Sequence, residues 1–352
     1  MYAFKKLSND VYKCYNTYYN DYIKNCKEPF MTEQEIVRNI LEKKGCISNV
    51  MFVACGGSIA AFYASKFFLE SESKNLNRVG YYSSNEFVHA TPKSLQNTSL
   101  VIACSHQGDT PETVEAIKKA KSMGATTVAF TYAKGSEITK FGDYEIVYDW
   151  GPNSSVADQK MSKGLKLSME ILHQTEHWDG YEAAMDGWAK INGVVSSALA
   201  SSKPDAQDFA KKHALEKLIY VIGSGASFGS VYIEDICILK EMQWIHSASI
   251  HSGEFFHGPL EITDTETPFL LFIGDGRTRE LDERVLRFLN RYGRKTTTLD
   301  VRNLGISVIS DAVVEYFCPL VFTNVIAQYN EQLAEVRKHP LATRRYMWKV
   351  SY

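Results

Sequence analysis

The stretch "SNVMFVACGGSIAAFYASKFFLE", residues 48–70, sets a short apolar run before two glycines and a helical pattern. Such a run is typical of a strand buried on both faces of a parallel sheet. The same order returns in "KLIYVIGSGASFGSVYIEDICILKEMQ", residues 217–243. A strand, a Gly/Ser turn and a helix that recur so far apart predict two tandem copies of one α/β fold.

Further segments extend each copy. In the first copy, residues 99–124 predict a strand over 99–104, a polar loop, and a helix over 111–123 that Pro111 can begin. "ATTVAFTY" and "YEIVYD" add strands, and "TPFLLFIGDG" and "KTTTLDV" do so in the second copy. The predicted organisation is an N-terminal helical segment, a first domain, a helical connection, a second domain and a tail: 1–45, 46–180, 181–210, 211–335 and 336–352.

Composition excludes several classes of protein. The 352 residues have room for about two domains, and 39 basic and 41 acidic residues give a net charge of −2. No basic stripe favours a nucleic-acid partner, and no apolar run approaches the roughly 20 residues of a membrane span. The seven cysteines are scattered without a CxxC pair, and the N-terminus lacks a signal-peptide core. We therefore expect a cytoplasmic protein.

Two loops of the first copy are suited to an anion. "CGGS" (55–58) and "SHQGDT" (105–110) each follow a strand and precede a helix, whose free N–H groups favour a phosphate. Gly57 allows close backbone approach, and Ser58 and Thr110 supply hydroxyl donors. For one loop alone, ordinary helix capping is the better explanation. Two such loops at adjacent strand ends favour phosphate binding, whereas the "GSGASFG" turn of the second copy is weak evidence and can be structural.

Five motifs then occur in order: "CGGS", "SHQGDTPET", "SSVADQKMSKG", "KEMQWIHS" and "SGEFFHGPLEI". With them the sequence resembles the double sugar isomerase (SIS) domain proteins. That family includes the isomerase half of glucosamine-6-phosphate synthase and the bacterial fructosamine-6-phosphate deglycases. The resemblance is strongest to the deglycases, in particular those of 6-phosphofructose-aspartate. It implies two tandem flavodoxin-like domains, each a parallel sheet in three layers.

The resemblance also implies a substrate site. The serine/threonine loops would hold the sugar phosphate, and the segment before the connecting helices would lie along the sugar. His106 departs from the synthases, which usually have Gln there. The substrate-binding residues implied in this way are Gly57, Ser58, Ser105, His106, Gln107, Thr110, Val156, Ala157 and Lys160.

Glu241 and His257 are the implied catalytic pair. By resemblance, the glutamate moves a proton at C1 and C2 of the sugar and the histidine assists ring opening from the neighbouring subunit, which implies a homodimer. The chemistry of an Amadori sugar needs such groups, because a proton must leave C1 while the C2 carbonyl becomes an enol. A partly buried carboxylate and a histidine that titrates near neutrality suit these steps. No redox step occurs, so we expect no cofactor and no metal.

Each of these residues has a plainer interpretation. Glu241 can be a solvated carboxylate at a helix end, and His257 can be a turn residue bonded to backbone. Glu254 is a reserve candidate for the base. A zinc site of His246, His251 and His257 lacks the usual ligand spacing, so we expect the first two to be structural.

The tail "HPLATRRYMWKVSY", residues 339–352, is charged and aromatic. In the synthases the C-terminal segment brings a lysine to the sugar, but here Glu335 and Arg337 lie near that place. The tail can be a surface-packed terminus. Alternatively, Arg344, Arg345 or Lys349 can pair with a substrate carboxylate.

The expected function is a deglycase that converts a 6-phosphofructosyl amino acid and water to glucose 6-phosphate and the amino acid. Phosphofructose-aspartate and fructoselysine 6-phosphate are examples of such Amadori substrates. One alternative is an aldose–ketose or amino-sugar phosphate isomerase. Because the sequence shows no glutaminase domain and Tyr2 after Met1 offers no N-terminal cysteine nucleophile, we do not expect it to release ammonia from glutamine as the synthases do. The other alternative is a non-catalytic sugar-phosphate sensor, which has no need of Glu241 and His257.

Overall fold

The computed structural model describes residues 31–351, and one compact unit begins at Glu33. Helix α1, Glu33–Lys44, lies where the sequence predicts an amphipathic helix, and it buries Ile36, Val37 and Ile40 on one side. The rest of the predicted N-terminal helical segment, residues 1–30, lies outside the described residues.

The first sheet has five parallel strands in the order β2-β1-β3-β4-β5. These strands are β1 Asn49–Ala54, β2 Arg78–Ser83, β3 Ser99–Cys104, β4 Thr126–Thr131 and β5 Tyr144–Val147. The helices between them are α2 Gly56–Ala60, α3 Tyr63–Glu72, α4 Ser84–His89 and α5 Pro111–Ser122. Every residue of β1, β3 and β4 is buried, as continuous apolar runs predict for strands covered on both faces.

Three helices connect this sheet to the second. They are α6 Lys160–Glu176, α7 Tyr181–Ser201 and α8 Lys203–His213. The second sheet has four parallel strands in the order β7-β6-β8-β9: β6 Leu218–Gly223, β7 His246–His251, β8 Pro268–Ile273 and β9 Lys295–Asp300. Its helices are α9 Phe228–Tyr232, a π-helix Ile233–Lys240, and α10 Arg279–Tyr292; the long α11, Val314–Arg337, follows.

The two sheets share one strand order. In each, the first strand in sequence lies between the second and the third, which is the flavodoxin arrangement. The prediction of two tandem parallel-sheet α/β units is therefore confirmed. Because ligands bind outside the carboxyl ends of such strands where the order reverses, the expected crevices lie at β1/β3 and at β6/β8.

A shared core fixes the two sheets relative to each other. It runs from Phe62 and Leu165 on the first-sheet side, through Phe317 of α11, to Leu270 of β8, all of them buried. A reciprocal amide pair, Gln159 with Asn324 at 3.0 and 3.1 Å, adds a polar connection between the end of the first unit and α11. No helix among residues 31–351 is both long and apolar enough to span a bilayer.

Candidate active site

The two predicted anion loops begin side by side. Ala54, the last residue of β1, is paired in register with Cys104, the last residue of β3. The loops 55–58 and 105–110 therefore leave the sheet from adjacent positions at the same edge. This is the crevice in which an α/β sheet of this order binds its ligand.

The hydroxyl groups of these loops do not cap the helices that follow. Thr110 is the N-cap residue of α5 and Cys55 that of α2, and neither side chain makes a capping hydrogen bond. Instead, the hydroxyls of Ser105 and Thr110 lie 2.8 Å apart, and Ser58 Oγ accepts a hydrogen bond from Lys160 Nζ at 3.0 Å. The helix-capping alternative therefore does not account for these side chains.

Gly108 sets the shape of the second loop. Its φ of +75° lies in the left-handed region, and a Cβ at this position would lie 1.8 Å from Ser136 Oγ. The loop is tied down on both sides of this glycine. Ile138 N–H donates to Gly108 O at 2.8 Å, and Thr131 Oγ1 donates to His106 O at 3.1 Å. Only glycine fits this close approach.

Lys160 brings a cation to the first loop, and its charge also acts on His106 of the second. It is the first residue of α6, and its Nζ lies 5.2 Å from the centre of the Tyr148 ring while it donates to Ser58. Val156 and Ala157 are buried in the 3₁₀ turn just before it, and Ala157 N–H donates to Asn192 Oδ1 at 3.3 Å. The segment expected along the sugar thus has a fixed backbone and one ammonium group aimed at the loops.

His106 is held as a neutral ring. It stacks on Tyr132 and Tyr148, and its Nδ1 lies 3.0 Å from the Tyr148 hydroxyl. Burial, and secondarily the charge of Lys160, lower the His106 pKa to about 4. At neutral pH the imidazole is therefore a hydrogen-bonding group rather than a cation. The adjacent Gln107 is exposed at the surface of the loop.

Glu241 lies at the end of the crossover helix of the second sheet. It follows the π-helix that crosses over from β6 to β7, and its N–H donates to Ile236 O, five residues back, at 3.2 Å. The sequence predicts a helix ending here but not its π geometry, which is rare and frequent at functional sites. A π-helix and an α-helix share too much of their apolar pattern to be told apart by sequence.

Cys237 shows how close this helix lies to the first loop. A Cβ added to Gly57 would lie 3.4 Å from Cys237 Sγ. Burial and, secondarily, the charge of Glu241 raise the pKa of the Cys237 thiol to about 11, although the charge of Lys160 acts to lower it. Both charged groups therefore act on one thiol at the first loop. Glu241, which follows the crossover helix of the second sheet, thus lies near a thiol that borders the first loop.

His257 lies elsewhere in the same chain. Glu241 precedes β7 and His257 follows it, so the six residues of that strand separate them. At about 3.3 Å per residue, this strand alone spans roughly 16–20 Å. His257 and Glu254 are both exposed on the loop beyond β7. Within residues 31–351 no ion pair or side-chain hydrogen bond joins His257 to Glu241, whose ion-pair partner is Arg344.

The other two histidines considered for zinc are the first and last residues of β7. His246 begins the strand and is exposed, whereas His251 ends it and accepts a hydrogen bond from Gly253 N–H at 3.1 Å. Within residues 31–351 no group of three or more His, Cys, Asp or Glu side chains is placed to hold a metal ion.

The tail folds back onto Glu241. Arg344 Nη2 lies 2.7 Å from Glu241 Oε1, and the Arg344 side chain is only 8% exposed. The neighbouring basic residues point elsewhere: the Arg345 guanidinium lies 4.3 Å from the centre of the Trp244 ring, and Lys349 Nζ donates to Arg344 O. Of the three cations that the sequence offers for a substrate carboxylate, the structure brings Arg344 to Glu241.

Arg337 has a different use. Its guanidinium donates to the backbone oxygens of Ala214 at 2.8 Å and of Gln243 at 3.3 Å. It therefore ties the end of α11 to the segments on either side of β6 and its crossover. The residue that lies near the position of the synthase lysine thus has a structural role.

The corresponding edge of the second sheet is filled by Asp282. Its carboxylate accepts hydrogen bonds from Ser224 Oγ at 2.7 Å, Ser252 Oγ at 2.6 Å and Gly274 N–H at 3.2 Å. These three donors follow β6, β7 and β8 directly. Asp282 is fully buried, and burial raises its pKa to about 6. In the second copy an internal carboxylate therefore lies where the first copy has its open loops.

The turn after β6 has a local structural explanation. Gly225 has a φ of +55°, and a Cβ there would lie 2.3 Å from Thr278 Oγ1. The glycines of "GSGASFG" thus include one that allows close packing between two loops of the second sheet. The motif needs no ligand to account for it.

Comparison with known proteins agrees with the geometry. The SIS domain family model matches residues 46–175. The fructosamine deglycase FrlB of Bacillus subtilis is 42% identical over 91% of this chain and 97% of its own length. The fructoselysine 6-phosphate deglycase of Escherichia coli K12 is 27% identical over 88% of this chain and 89% of its own.

A solved structure extends this likeness to the fold. A crystal structure from Salmonella typhimurium, described as that of a phosphosugar isomerase, superposes with a TM-score of 0.88. It is 46% identical, and the match covers 91% of this chain and 98% of that one. The predicted resemblance to double-SIS deglycases is thereby confirmed.

Proposed function

This chain belongs to the SIS-domain fructosamine deglycases, and on that premise we propose that its substrate is a 6-phosphofructosyl amino acid. Water cleaves this Amadori compound to glucose 6-phosphate and the free amino acid. The phosphate is held by the loops 55–58 and 105–110, with Lys160 beside them.

The proximity of Glu241 to these loops carries the proposal. The loops belong to the first sheet and Glu241 to the second, yet Gly57 of the first loop lies against the Cys237 thiol, and the charge of Glu241 acts on that same thiol. A sugar whose phosphate is anchored at the first loops therefore extends its other end, C1 and C2, towards Glu241. A site that only binds sugar phosphate has no need of a carboxylate in this place, which favours catalysis over sensing.

The proposed reaction proceeds in three steps. The Glu241 carboxylate removes a proton from C1 while the C2 carbonyl becomes an enol, giving an enaminol. A proton delivered to C2 converts this to an imine between C1 and the amino-acid nitrogen. Water adds to the imine carbon, the C–N bond breaks, and the aldehyde of glucose 6-phosphate and the amine are released. Neither oxidation nor reduction occurs overall.

We assign the opening of the sugar ring to His257 of a second copy of the chain. Its exposed position beyond β7 leaves it free to enter a neighbouring site, whereas Glu241 of its own chain precedes that strand. A twofold-symmetric dimer can complete both sites in this way, since each subunit contributes the same histidine to the site of the other. This assignment supports a homodimer as the active form.

The direct test is product formation from a panel of 6-phosphofructosyl amino acids that includes the aspartate and lysine compounds. We expect glucose 6-phosphate and free amino acid in equal amounts, with deuterium at C2 of the sugar when the reaction runs in D₂O. Glu241→Gln should reduce kcat by about 100- to 10,000-fold. Full activity in this variant would contradict the role of the base.

Fructose 6-phosphate is the informative control substrate. A plain aldose–ketose isomerase converts it to glucose 6-phosphate without any amine, whereas the proposed deglycase requires the C1 nitrogen that becomes an imine. Rapid conversion of fructose 6-phosphate, with no release of amino acid from the Amadori panel, would favour the isomerase. Tight binding of glucose 6-phosphate without turnover of any compound would favour a sensor.

A further inference from the structure

Arg344 has an unused donor beside the proposed base. The guanidinium is more than nine-tenths buried, and its Nη1 donates to Leu341 O at 2.7 Å and to Thr343 O at 3.0 Å. Nη2 pairs with Glu241, but Nε has no hydrogen-bond partner. A buried N–H without a partner is costly, and for a charged group the cost is greater.

The unused donor lies on the edge that usually recognises carboxylates. Nε and Nη2 donate in parallel along one side of a guanidinium, and this fork matches the two oxygens of a carboxylate. The ion pair with Glu241 is made through Nη2. The Nε hydrogen remains for another acceptor, so one arginine can serve Glu241 through Nη2 and a second carboxylate through Nε.

The proposed substrate has a carboxylate at the right distance. In an amino acid attached through its α-nitrogen, the carboxyl carbon is three bonds from C1 of the sugar, roughly 4 Å. Glu241 must touch the hydrogen on C1, and Arg344 touches Glu241. The α-carboxylate of the bound substrate therefore lies within reach of the free edge of Arg344.

We propose that Arg344 is the receptor for the α-carboxylate of the substrate's amino acid, and that it bridges this carboxylate and Glu241. The inference rests on the deglycase function proposed above. The tail residue thereby selects Amadori compounds that carry an anion next to the C1 nitrogen, and it holds that nitrogen and C1 beside the base.

The test compares two substrates that differ only in this anion: 6-phosphofructosyl-glycine and 6-phosphofructosyl-glycinamide. For the wild-type enzyme we expect kcat/KM to fall by about 10- to 100-fold for the amide, as for the loss of one charged hydrogen-bonded pair. In Arg344→Gln the two substrates should become equal within about threefold, while Arg345→Gln should keep the wild-type ratio.

Several results would overturn the proposal. These are equal wild-type use of acid and amide, a preserved preference in Arg344→Gln, or a preference lost in Arg345→Gln. The wild-type comparison needs no variant, so it decides the matter even if Arg344→Gln does not fold. Release of glucose 6-phosphate from neither compound would instead refute the proposed function, and calorimetric binding of the two compounds would then still test the arginine.

Discussion

Subunit complementation is the sharpest test of how the active site is assembled. The two perturbations are Glu241→Gln and His257→Ala, each made in a separate copy of the chain. Each variant alone should lose about 100- to 10,000-fold in kcat, because one acid–base group is missing from every site. The question is what happens when the two variants share a dimer.

The structure sets the expected magnitude. Glu241 lies before β7 and His257 beyond it, and under the proposed trans assignment each site combines Glu241 of one copy with His257 of the other. In a mixed dimer one site then has both defects, and the other has neither. Random pairing makes about half of the dimers mixed, so activity should return to about a quarter of the wild-type value.

The assay is release of glucose 6-phosphate by the two variants, first alone and then after co-expression from one cell. A wild-type chain co-expressed with a double variant is the matched control, because its mixed dimers contain one wild-type residue of each kind on the same chain. That control should gain no activity from its mixed dimers. If co-expressed single variants remain as inactive as each alone, the trans assignment of His257 is wrong.

Three further predictions address the loops and the second sheet. Gly108→Ala should destabilise the protein by at least about 2 kcal/mol through the collision with Ser136 and the positive φ, measured by urea unfolding; an unchanged midpoint would contradict this. Lys160→Met should weaken binding of glucose 6-phosphate by about 10- to 100-fold in calorimetry while leaving thermal stability nearly unaltered, and equal affinity would exclude a role beside Ser58. The folded-state pKa of Asp282 is raised to about 6, so the wild type should lose about 2 kcal/mol of unfolding free energy relative to Asp282→Asn as pH rises from 4 to 7. A pH-independent difference between those two proteins would show that the carboxyl does not titrate as its burial requires.

Much of the architecture is readable in the sequence because strands buried on both faces are continuous apolar runs. The first-sheet edge strand β2, "RVGYYS", escapes prediction because it is half-exposed and contains a glycine. Residues 105–110 could be assigned to a ligand loop from local chemistry alone. The structure adds that Thr110 does not cap its helix, which removes the competing explanation.

The contacts of Glu241 and of Asp282 are long-range, and no local sequence pattern predicts them. Glu241 and Arg344 are separated by about a hundred residues, and each taken alone resembles a solvated surface charge. Asp282 lies in "TRELDERV", whose many charged residues are typical of an exposed helix, yet it is completely buried. Only the tertiary structure shows that its neighbours are two serine hydroxyls and a backbone amide.

That buried carboxylate has a consequence for stoichiometry. The chain contains two copies of one fold. At the strand ends of the second copy, the Asp282 carboxylate already accepts the hydrogen bonds that a bound anion would otherwise receive. Each polypeptide should therefore take up one equivalent of phosphosugar rather than two. Under the proposed function, the second half need not bind a phosphosugar itself, and its part is to supply Glu241 and, across the proposed dimer, His257 to the first half.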